Sequence, residues 1–166
     1  MAQKDTKTNV MRTLERLGIP YTPREFPVGD RVPDGVQMAS LLGLPADRVF
    51  KTLVTRGSDR QCYVFVIPVA ETLDLKKAAA AAGVKSVAML HQNELLPETG
   101  YIHGGCSPIG MRRHFDTYFA EEIILYDTVT VSAGKVGCMV EVESQALLRA
   151  AQGVAADLIV EESHHG

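Results

Sequence analysis

The segment GYIHGGCSPIG, residues 100–110, is the densest group of residues that could do chemistry. It contains a thiol, Cys106, and a hydroxyl, Ser107, directly after two glycines. A reactive thiolate at Cys106 would need a nearby cation, and a small buried cysteine is usually inert. Ser107 lies outside a GxSxG pattern and has no evident base, so a hydrogen bond within the turn is its simpler role. The side chains alone do not identify a nucleophile.

The backbone of this segment offers a different chemistry. Gly104 and Gly105 lack Cβ atoms, so their N–H groups can face a carbonyl or phosphate oxygen, and Pro108 would stiffen the end of the loop. The pattern is compatible with a preformed oxyanion cradle made of main-chain donors. A bulge or tight turn that binds nothing is the alternative, because that is a common use of glycine.

Lys51 is the second unusual residue. In VFKTLV, residues 49–54, it lies on the same strand face as Val49 and Leu53, so its ammonium group needs a partner. Two roles stay open: an edge-strand lysine that reaches water, or an anion-binding group in a pocket. Further along, SAGKVG, residues 132–137, is most simply a hairpin turn with Lys135 exposed.

Hydrophobic periodicity and capping residues place helices around these motifs. Val10, Leu14 and Leu17 predict a first helix that ends before Gly18. Asp34 could cap a short second helix that reaches residue 42. Further helices are predicted in 73–83 and 91–96, and a last one follows Ser144 as its N-cap and ends at residue 153.

Short β-rich runs lie between these helices. The runs at 49–55 and 61–69 are joined by RGSDR and are expected to pair as an antiparallel hairpin. Other strands are predicted at 87–90, 100–105, 123–127, 128–132 and 137–142, and 21–26 is extended. The expected fold class is α+β: a mixed, mostly antiparallel β-sheet flanked by helices. Neither GxGxxG nor GxxxxGK[ST] occurs, which disfavours a nucleotide-binding doubly wound fold.

Length and composition limit the remaining possibilities. The chain has 166 residues, 46% of them hydrophobic, which predicts one domain over 1–166 with a polar tail at 162–166. With 17 Lys+Arg, 20 Asp+Glu and a net charge of -3, any nucleic-acid contact should be local. His164 and His165 belong to the tail and are left out of the site.

The remaining composition signals concern metals and location. The three cysteines form no CxxC pair and the five histidines no HExxH, so we expect no metal and no cofactor. No secretory signal and no stretch of about 18 apolar residues is present, so we expect a cytoplasmic protein with no membrane contact.

Three motifs taken together, VFKTL, LDLKK and GYIHGGCSPIG, resemble the YbaK/EbsC family of bacterial aminoacyl-tRNA deacylases, which remove wrongly attached amino acids from tRNA(Pro). The resemblance covers about residues 8–161. Its specific feature is GGxSPxG downstream of a VFKTL-type strand. It implies the family fold, a mixed, partly barrel-like β-sheet flanked by helices.

The resemblance also implies roles for individual residues. Lys51 matches the family's invariant strand lysine, Gly104 its essential loop glycine, and Ser132 the serine of its SGGKRG-like turn. We predict these three residues as catalytic. The predicted substrate-binding residues are Phe26, Gly105, Cys106, Ser107, Pro108, Gly137 and Met139. The Cys106 position can be aliphatic in the family, which favours the backbone over the thiol as the working part.

The sequence departs from the family pattern at four positions. Phe26 stands where a tyrosine often lies, and Met139 where an aspartate is usual. Ala133 and Val136 replace a common glycine and arginine. These changes remove polar groups from the expected pocket wall, so alanine or another small residue stays open as the amino acid removed.

The implied function is a trans-acting deacylase that clears misacylated tRNA(Pro), and Cys-tRNA(Pro) is the favoured substrate. A proline pocket cannot strongly reject cysteine or alanine, because a missing or altered methylene changes binding by only about 1–3 kcal/mol. The implied mechanism is attack by the substrate's own thiol on an ester held by main-chain N–H groups. The expected partners are the acceptor end of tRNA(Pro) and prolyl-tRNA synthetase.

Three alternatives remain at this stage. A deacylase of Ala-tRNA(Pro), or of another small amino acid, would need a positioned water, because its substrate brings no thiol. A noncatalytic module would bind aminoacyl-tRNA with the same loop and not turn it over. A hydrolase with Cys106 as nucleophile would label quickly with thiol reagents.

Overall fold

The computed structural model describes residues 7–161. The helices are α1 (Asn9–Arg16), α2 (Gly35–Leu42), α3 (Leu75–Ala82), α4 (Gln92–Thr99) and α5 (Ser144–Ala151), with short 3₁₀ turns at Ala46–Arg48 and Glu121–Leu125. The strands are β1 (Tyr21–Glu25), β2 (Phe50–Gly57), β3 (Cys62–Pro68), β4 (Val87–Met89), β5 (Asp116–Ala120), β6 (Thr128–Lys135), β7 (Cys138–Glu143) and β8 (Gly153–Ala156). The predicted tail at 162–166, with His164 and His165, lies outside the described residues.

The strands form two sheets. One has the order β4-β2-β3-β5-β8 and the other β1-β7-β6. The pairs β2–β3, β2–β4, β1–β7 and β6–β7 are antiparallel, whereas β3–β5 and β5–β8 are parallel. A parallel bridge between Val49 and Thr130 joins the two sheets without closing them into a barrel. The predicted α+β class, mixed and mostly antiparallel, is confirmed.

One hydrophobic cluster is shared by both sheets. Val10 and Leu14 of α1, Phe65 of β3, Phe119 of β5 and Val131 of β6 are all fully buried in it. Each such side chain contributes roughly 1.5–3 kcal/mol when it leaves water. The shared cluster therefore holds the two sheets together.

The first two helices begin at residues whose side chains cap them. The Thr8 side chain accepts a hydrogen bond from the Met11 N–H group at the start of α1. Asp34 and Gln37 form a reciprocal capping box at the start of α2. Because Asp34 fixes the first turn of α2, it also fixes the segment that precedes it.

Three predicted elements differ from the structure. Residues 100–105 form a loop instead of a strand, because their glycines leave too few side chains to pair on a sheet. The apolar run at 123–127 is mostly a 3₁₀ turn, in which Ile123 is buried while Ile124 and Leu125 are exposed. Ser144 is the first residue of α5 and donates to the Tyr126 carbonyl, whereas Glu143 caps the helix.

Two strands of the larger sheet were not predicted. The strands β5 and β8 are four or five residues long and pair in parallel, β5 with β3 and β8 with β5. A parallel pair joins segments that are far apart in the chain, so no local hairpin signal announces it. The end of α5 differs for a related reason: Gln152 adopts a left-handed conformation as the cap, and Gly153 already belongs to β8.

Candidate functional site

The site lies where β2 has no strand partner on one edge. Strand β3 pairs with one edge of β2 from Phe50 to Arg56. The bridge from Val49 to β6 and the ladder to β4, which starts at Thr55, therefore lie on the opposite edge. Val54 still accepts a hydrogen bond on this edge, from the Leu90 N–H group at 3.1 Å. Backbone groups alternate between the edges of a strand, so the N–H and C=O groups of Thr52 face the gap between β4 and β6.

A cavity of about 310 Å³ opens in this gap. The cavity wall includes Lys51, Gly104 and Ser132, the three residues predicted as catalytic, together with Cys106 and Met139 from the predicted substrate-binding set. The structure thus brings three separate sequence motifs, from β2, from the 100–110 loop and from the β6–β7 hairpin, to one cavity. Their roles in a reaction remain predictions.

Gly104 and Gly105 differ in what they contribute. The Gly105 N–H group donates to the Ile102 carbonyl at 3.0 Å, so it is not available to a ligand. Among residues 7–161, the Gly104 and Cys106 N–H groups have no hydrogen-bond acceptor. Of the predicted pair, only Gly104 therefore keeps an amide available to a ligand, and the Cys106 amide in the same cavity wall is also unpaired.

Each glycine of this pair is also required by packing. Gly104 has φ +86, and a Cβ there would lie 2.6 Å from Val32 Cγ1. A Cβ on Gly105 would lie 3.0 Å from the Lys135 Cα atom and 3.1 Å from the Val136 nitrogen, which belong to the β6–β7 turn. The loop can approach that turn only because it has no side chain at this point.

Lys51 carries a half-buried ammonium group. In the described part of the chain it makes no ion pair or hydrogen bond through its side chain. Burial lowers the pKa of Lys51 below its ordinary value, and the more distant carboxylates of Glu71 and Asp34 offset part of that effect. A partly desolvated cation without a close partner favours an anionic ligand.

Ser132 lies at a bulge in the β6–β7 hairpin. Ser132 pairs with Met139, and the register of the two strands shifts before the next pair, Lys135–Cys138. The Ser132 Oγ atom accepts a hydrogen bond from the Gly134 N–H group at 3.1 Å, and the side chain is 8% exposed. Its hydroxyl proton has no acceptor among the described residues, so it remains able to donate to a ligand in the cavity.

The Cys106 thiol does not have the environment of a nucleophile. All three cysteines are free and buried. Burial raises the pKa of Cys106 to about 12, so the thiol is neutral near pH 7. A catalytic thiolate needs the opposite shift, which a nearby cation or a helix N-terminus usually supplies. This environment opposes the alternative in which Cys106 attacks the substrate.

Five predicted substrate-binding residues do not line the cavity: Phe26, Gly105, Ser107, Pro108 and Gly137. Ser107 is fully buried, and its Oγ atom accepts from the Ile109 N–H group at 3.3 Å, which is the turn-stabilising role. Phe26 is 5% exposed and packs with Met139 in a second hydrophobic cluster behind the cavity wall. The Gly137 carbonyl accepts from the Phe26 N–H group at 3.0 Å. Pro108 borders a different surface depression.

Sequence reasoning missed other residues of the cavity wall. Asp34 and Val32 arrive from the segment before α2, His103 from the loop, and Thr52 from β2. The Thr52 Oγ1 atom is buried and has no hydrogen-bond partner in the described structure. A signal existed for two of them, since Thr52 follows Lys51 and His103 precedes Gly104 directly. Nothing in the sequence indicated that the segment before α2 would reach the same cavity.

Neither a metal-binding cluster nor a membrane-spanning helix occurs in the described part of the chain. Within residues 7–161, no group of three or more His, Cys, Asp or Glu side chains is arranged to hold a metal ion. None of the described helices combines the length and the apolar character that crossing a bilayer requires.

Comparison with known proteins bears on the motif resemblance. The sequence pattern of the aminoacyl-tRNA editing domain family matches residues 31–150. This chain belongs to that family. The match includes Lys51, Gly104 and Ser132, and the family predicted from the VFKTL and GGCSPIG motifs is confirmed.

Individual relatives agree with the assignment to the editing domains. The chain is 45% identical over 164 residues to EbsC of Enterococcus faecalis, provisionally named a Cys-tRNA(Pro)/Cys-tRNA(Cys) deacylase, and the alignment covers 98% of this chain and 100% of EbsC. It is 29% identical over 111 residues to YwhH of Bacillus subtilis, an uncharacterized protein, covering 67% of this chain and 70% of YwhH.

The fold of this editing domain also recurs in a solved structure. The crystal structure of a protein provisionally described as a trans-editing enzyme for prolyl tRNA synthetase superposes on this chain with a TM-score of 0.79. The identity is 23%, and the superposition covers 94% of this chain and 100% of that one. At this identity the likeness concerns the fold.

Proposed function

We propose that this editing domain acts in trans on misacylated tRNA(Pro) and removes cysteine from Cys-tRNA(Pro). The observation that carries the proposal is one cavity whose wall includes an unpartnered ammonium group, Lys51, together with Gly104 and Cys106, whose amides have no acceptor among the described residues. The relative EbsC, 45% identical, has a name that points to the same substrate. An ester has an electron-rich carbonyl oxygen, and an aminoacyl-tRNA has phosphates next to it, so both kinds of group would find a partner.

In the proposed reaction the ester carbonyl accepts hydrogen bonds from the Gly104 and Cys106 amides. The thiol of the cysteinyl group attacks the carbonyl carbon, the bond to the ribose oxygen breaks, and a thiolactone and free tRNA are released. Donors aimed at the developing oxyanion typically contribute about 3–4 kcal/mol each in related sites. Intramolecular attack gains further from orientation, so no protein nucleophile is required.

The nucleotide part of the substrate needs a binding surface outside the cavity. The ester is joined to the terminal nucleoside, which must leave the cavity through its mouth. A shallow groove beside the mouth shares Val32 and Pro33 with the cavity and includes Arg31. We assign the terminal nucleotide to this groove, with its phosphates between Lys51 and Arg31. A lysine suits a phosphate as a point charge without bidentate geometry.

The cavity walls favour a small acyl group. A volume of about 310 Å³ is at the low end of ligand pockets, which range over about 300–1,000 Å³. Met38, Leu95 and Met139 make one side apolar, which suits a thiol or a methyl group. The same apolar side supports the second candidate, alanine, for which a water activated in the cavity would replace the thiol.

The partners in this proposal are the acceptor end of tRNA(Pro) and prolyl-tRNA synthetase. The net charge of -3 offers few phosphate contacts beyond the end of the tRNA, so affinity at physiological salt should be low. Selection of tRNA(Pro) would then come from the synthetase that holds it. The reaction belongs in the cytoplasm, where this tRNA is charged.

The test is a deacylation panel with Cys-, Ala- and Pro-tRNA(Pro), run with the wild-type protein, Lys51→Ala and Lys85→Ala. Lys85 is an exposed lysine that does not line the cavity and serves as the matched control. We expect fast release of cysteine by the wild type and the control, and a loss of at least about 100-fold in Lys51→Ala with an unchanged melting temperature. Preferred release of alanine would select the second candidate.

A binding module without catalysis predicts a different result from the same panel. All three charged tRNAs would stay intact, while a filter-binding assay would show wild-type binding that Lys51→Ala weakens. That outcome would reject the deacylase proposal and retain the site.

A further inference from the structure

The proposed reaction must move one proton. The attacking thiol has to lose its proton, and the ribose oxygen has to gain one when the ester bond breaks. A positioned acid–base group typically accelerates such steps by about 10²–10⁴-fold. The proposed amide cradle and the Lys51 ammonium group supply hydrogen-bond donors and positive charge, but they do not accept a proton.

The cavity wall contains four ionisable side chains among the described residues: Asp34, Lys51, His103 and Cys106. Cys106 is a neutral buried thiol, since its pKa is raised to about 12. Asp34 spends one carboxylate oxygen on the Gln37 N–H group at 2.8 Å, and a carboxylate is a weak base toward a thiol. An imidazole accepts and returns a proton near neutral pH, which matches the requirement.

The surroundings of His103 leave it free to act. Its side chain is exposed at the cavity mouth, and neither ring nitrogen has a hydrogen-bond partner within residues 7–161. His103 directly precedes Gly104, whose left-handed backbone (φ +86) turns the chain, and both residues border the cavity. A base and an oxyanion donor therefore come from adjacent residues of one loop, and the base can exchange its proton with water.

We propose that His103 is the general acid–base residue of this editing domain. An imidazole nitrogen takes the proton from the substrate thiol as the sulfur–carbon bond forms. The resulting imidazolium returns that proton to the ribose 3′ oxygen as the carbon–oxygen bond breaks. The products are a thiolactone and a tRNA with a free hydroxyl, and His103 ends in its starting state. This inference rests on the proposed deacylase function.

The experiment compares the wild type, His103→Gln and His114→Gln in single-turnover deacylation of Cys-tRNA(Pro) across pH 5.5–9. His114 is an exposed histidine that does not line the cavity, so it is the matched control. We expect His103→Gln to be about 100-fold slower at neutral pH with an unchanged KM. The deficit should shrink as the pH approaches the thiol pKa of about 8.5, because the thiol then ionises without help. Added imidazole should restore much of the lost rate.

The outcomes separate this inference from the function on which it rests. If the wild type deacylates and His103→Gln keeps its rate and pH profile, the acid–base role is wrong and the deacylase proposal stands. A slower variant with a changed KM, an unchanged pH profile and no rescue by imidazole would make His103 a binding residue and also overturn the inference. If the wild type releases no cysteine at all, the proposed function itself fails.

Discussion

At the scale of single residues, the site is defined by polar groups that the protein leaves without partners. The Lys51 ammonium, the Thr52 hydroxyl and the amides of Gly104 and Cys106 all belong to residues that line one cavity, and none has a hydrogen-bond partner in the described structure. Leaving a buried donor or acceptor unsatisfied costs about 1–3 kcal/mol. A ligand that pairs with these groups recovers that free energy, so the cavity is prepared for a polar substrate.

The state of the Cys106 thiol can be checked directly by alkylation. Because burial raises the pKa of Cys106 to about 12, we expect iodoacetamide to label it at pH 7.5 at least about 10³-fold more slowly than free cysteine. Mass spectrometry of tryptic peptides measures the rate. The control is the same protein unfolded in guanidinium chloride, in which Cys62, Cys106 and Cys138 should all react. Rapid labelling of folded Cys106 would revive the nucleophile alternative.

At the scale of elements, the loop that carries the glycine pair is positioned by the β6–β7 hairpin. Gly105 lies against the backbone of Lys135 and Val136, while Ser132 of the same hairpin lines the cavity. The loop is also closed on itself, since Tyr101 donates its hydroxyl proton to the Ile109 carbonyl. The hairpin and the loop are therefore in direct backbone contact, and a disturbance of that contact should reach the site.

The contact between loop and hairpin predicts the effect of Gly105→Ala. An added Cβ would lie 3.0–3.1 Å from three backbone atoms of the hairpin turn, so the loop must shift. We expect a melting temperature lower by about 2–12 °C, from a cost of about 1–3 kcal/mol, and slower deacylation. The control for stability is Gly29→Ala, where a Cβ meets nothing within 4 Å. Equal melting temperatures for the two variants would show that the contact is not tight.

The smaller sheet is tied by an ion pair whose strength depends on pH. Arg24 of β1 pairs with Glu141 of β7, and Thr128 of β6 donates to the same carboxylate at 2.7 Å. These hydrogen bonds, Arg24 first, lower the pKa of Glu141 below its ordinary value. The unfolded chain then binds this proton more readily than the folded protein, so the contribution to stability is present at neutral pH and is lost as the pH falls through the lowered pKa of the folded carboxylate.

Glu141→Gln should therefore flatten the acid limb of the stability curve. Because the pair is partly exposed, the variant should melt only about 2 °C below the wild type at pH 7. The gap should narrow as the pH falls below the ordinary carboxyl pKa and close once Glu141 is protonated in the folded protein as well. Calorimetry at a series of pH values measures this, with Glu121→Gln, an exposed carboxylate, as control. A gap that persists unchanged at pH 3 would assign the effect to packing.

At the scale of the whole molecule, the cavity exists because two sheets meet and then separate. Strands β2 and β6 touch at the Val49–Thr130 bridge, and β4 joins the same edge of β2 only from Thr55. The loop from residue 103 and the segment before α2 cover the gap between them. The groove beside the cavity mouth continues along the same segment, and the proposed function assigns the terminal nucleotide to it.

This path predicts how Arg31 contributes. If Arg31 contacts a phosphate of the terminal nucleotides, Arg31→Ala should raise KM about 3–10-fold and leave kcat unchanged. The slope of log KM against log salt should fall by about 0.7–1, the value of one phosphate contact. Arg60→Ala, an exposed arginine of the β2–β3 turn, is the control. Equal salt slopes for both variants would indicate that the tRNA contacts another face of the molecule.

The sequence alone determined the local structure and the family. The N-cap at Asp34, the β2–β3 hairpin and the first helix follow from signals within about ten residues, and the structure contains all three. The motif containing Gly104 and the strand containing Lys51 were likewise sufficient to identify the editing domains. These features are readable because capping, turn formation and alternation act between near neighbours in the chain.

Only the tertiary structure decided what surrounds these motifs. The parallel strands β5 and β8, the meeting of Lys51 with Ser132, and the arrival of Asp34 and His103 at the same cavity depend on contacts between distant segments. The Gly105 amide is not free as predicted, because it donates to the Ile102 carbonyl and its residue packs against the hairpin turn. The amides of Gly104 and Cys106 have no acceptor in the described structure. Which donors remain free is a property of long-range packing, and local sequence patterns carry no record of it.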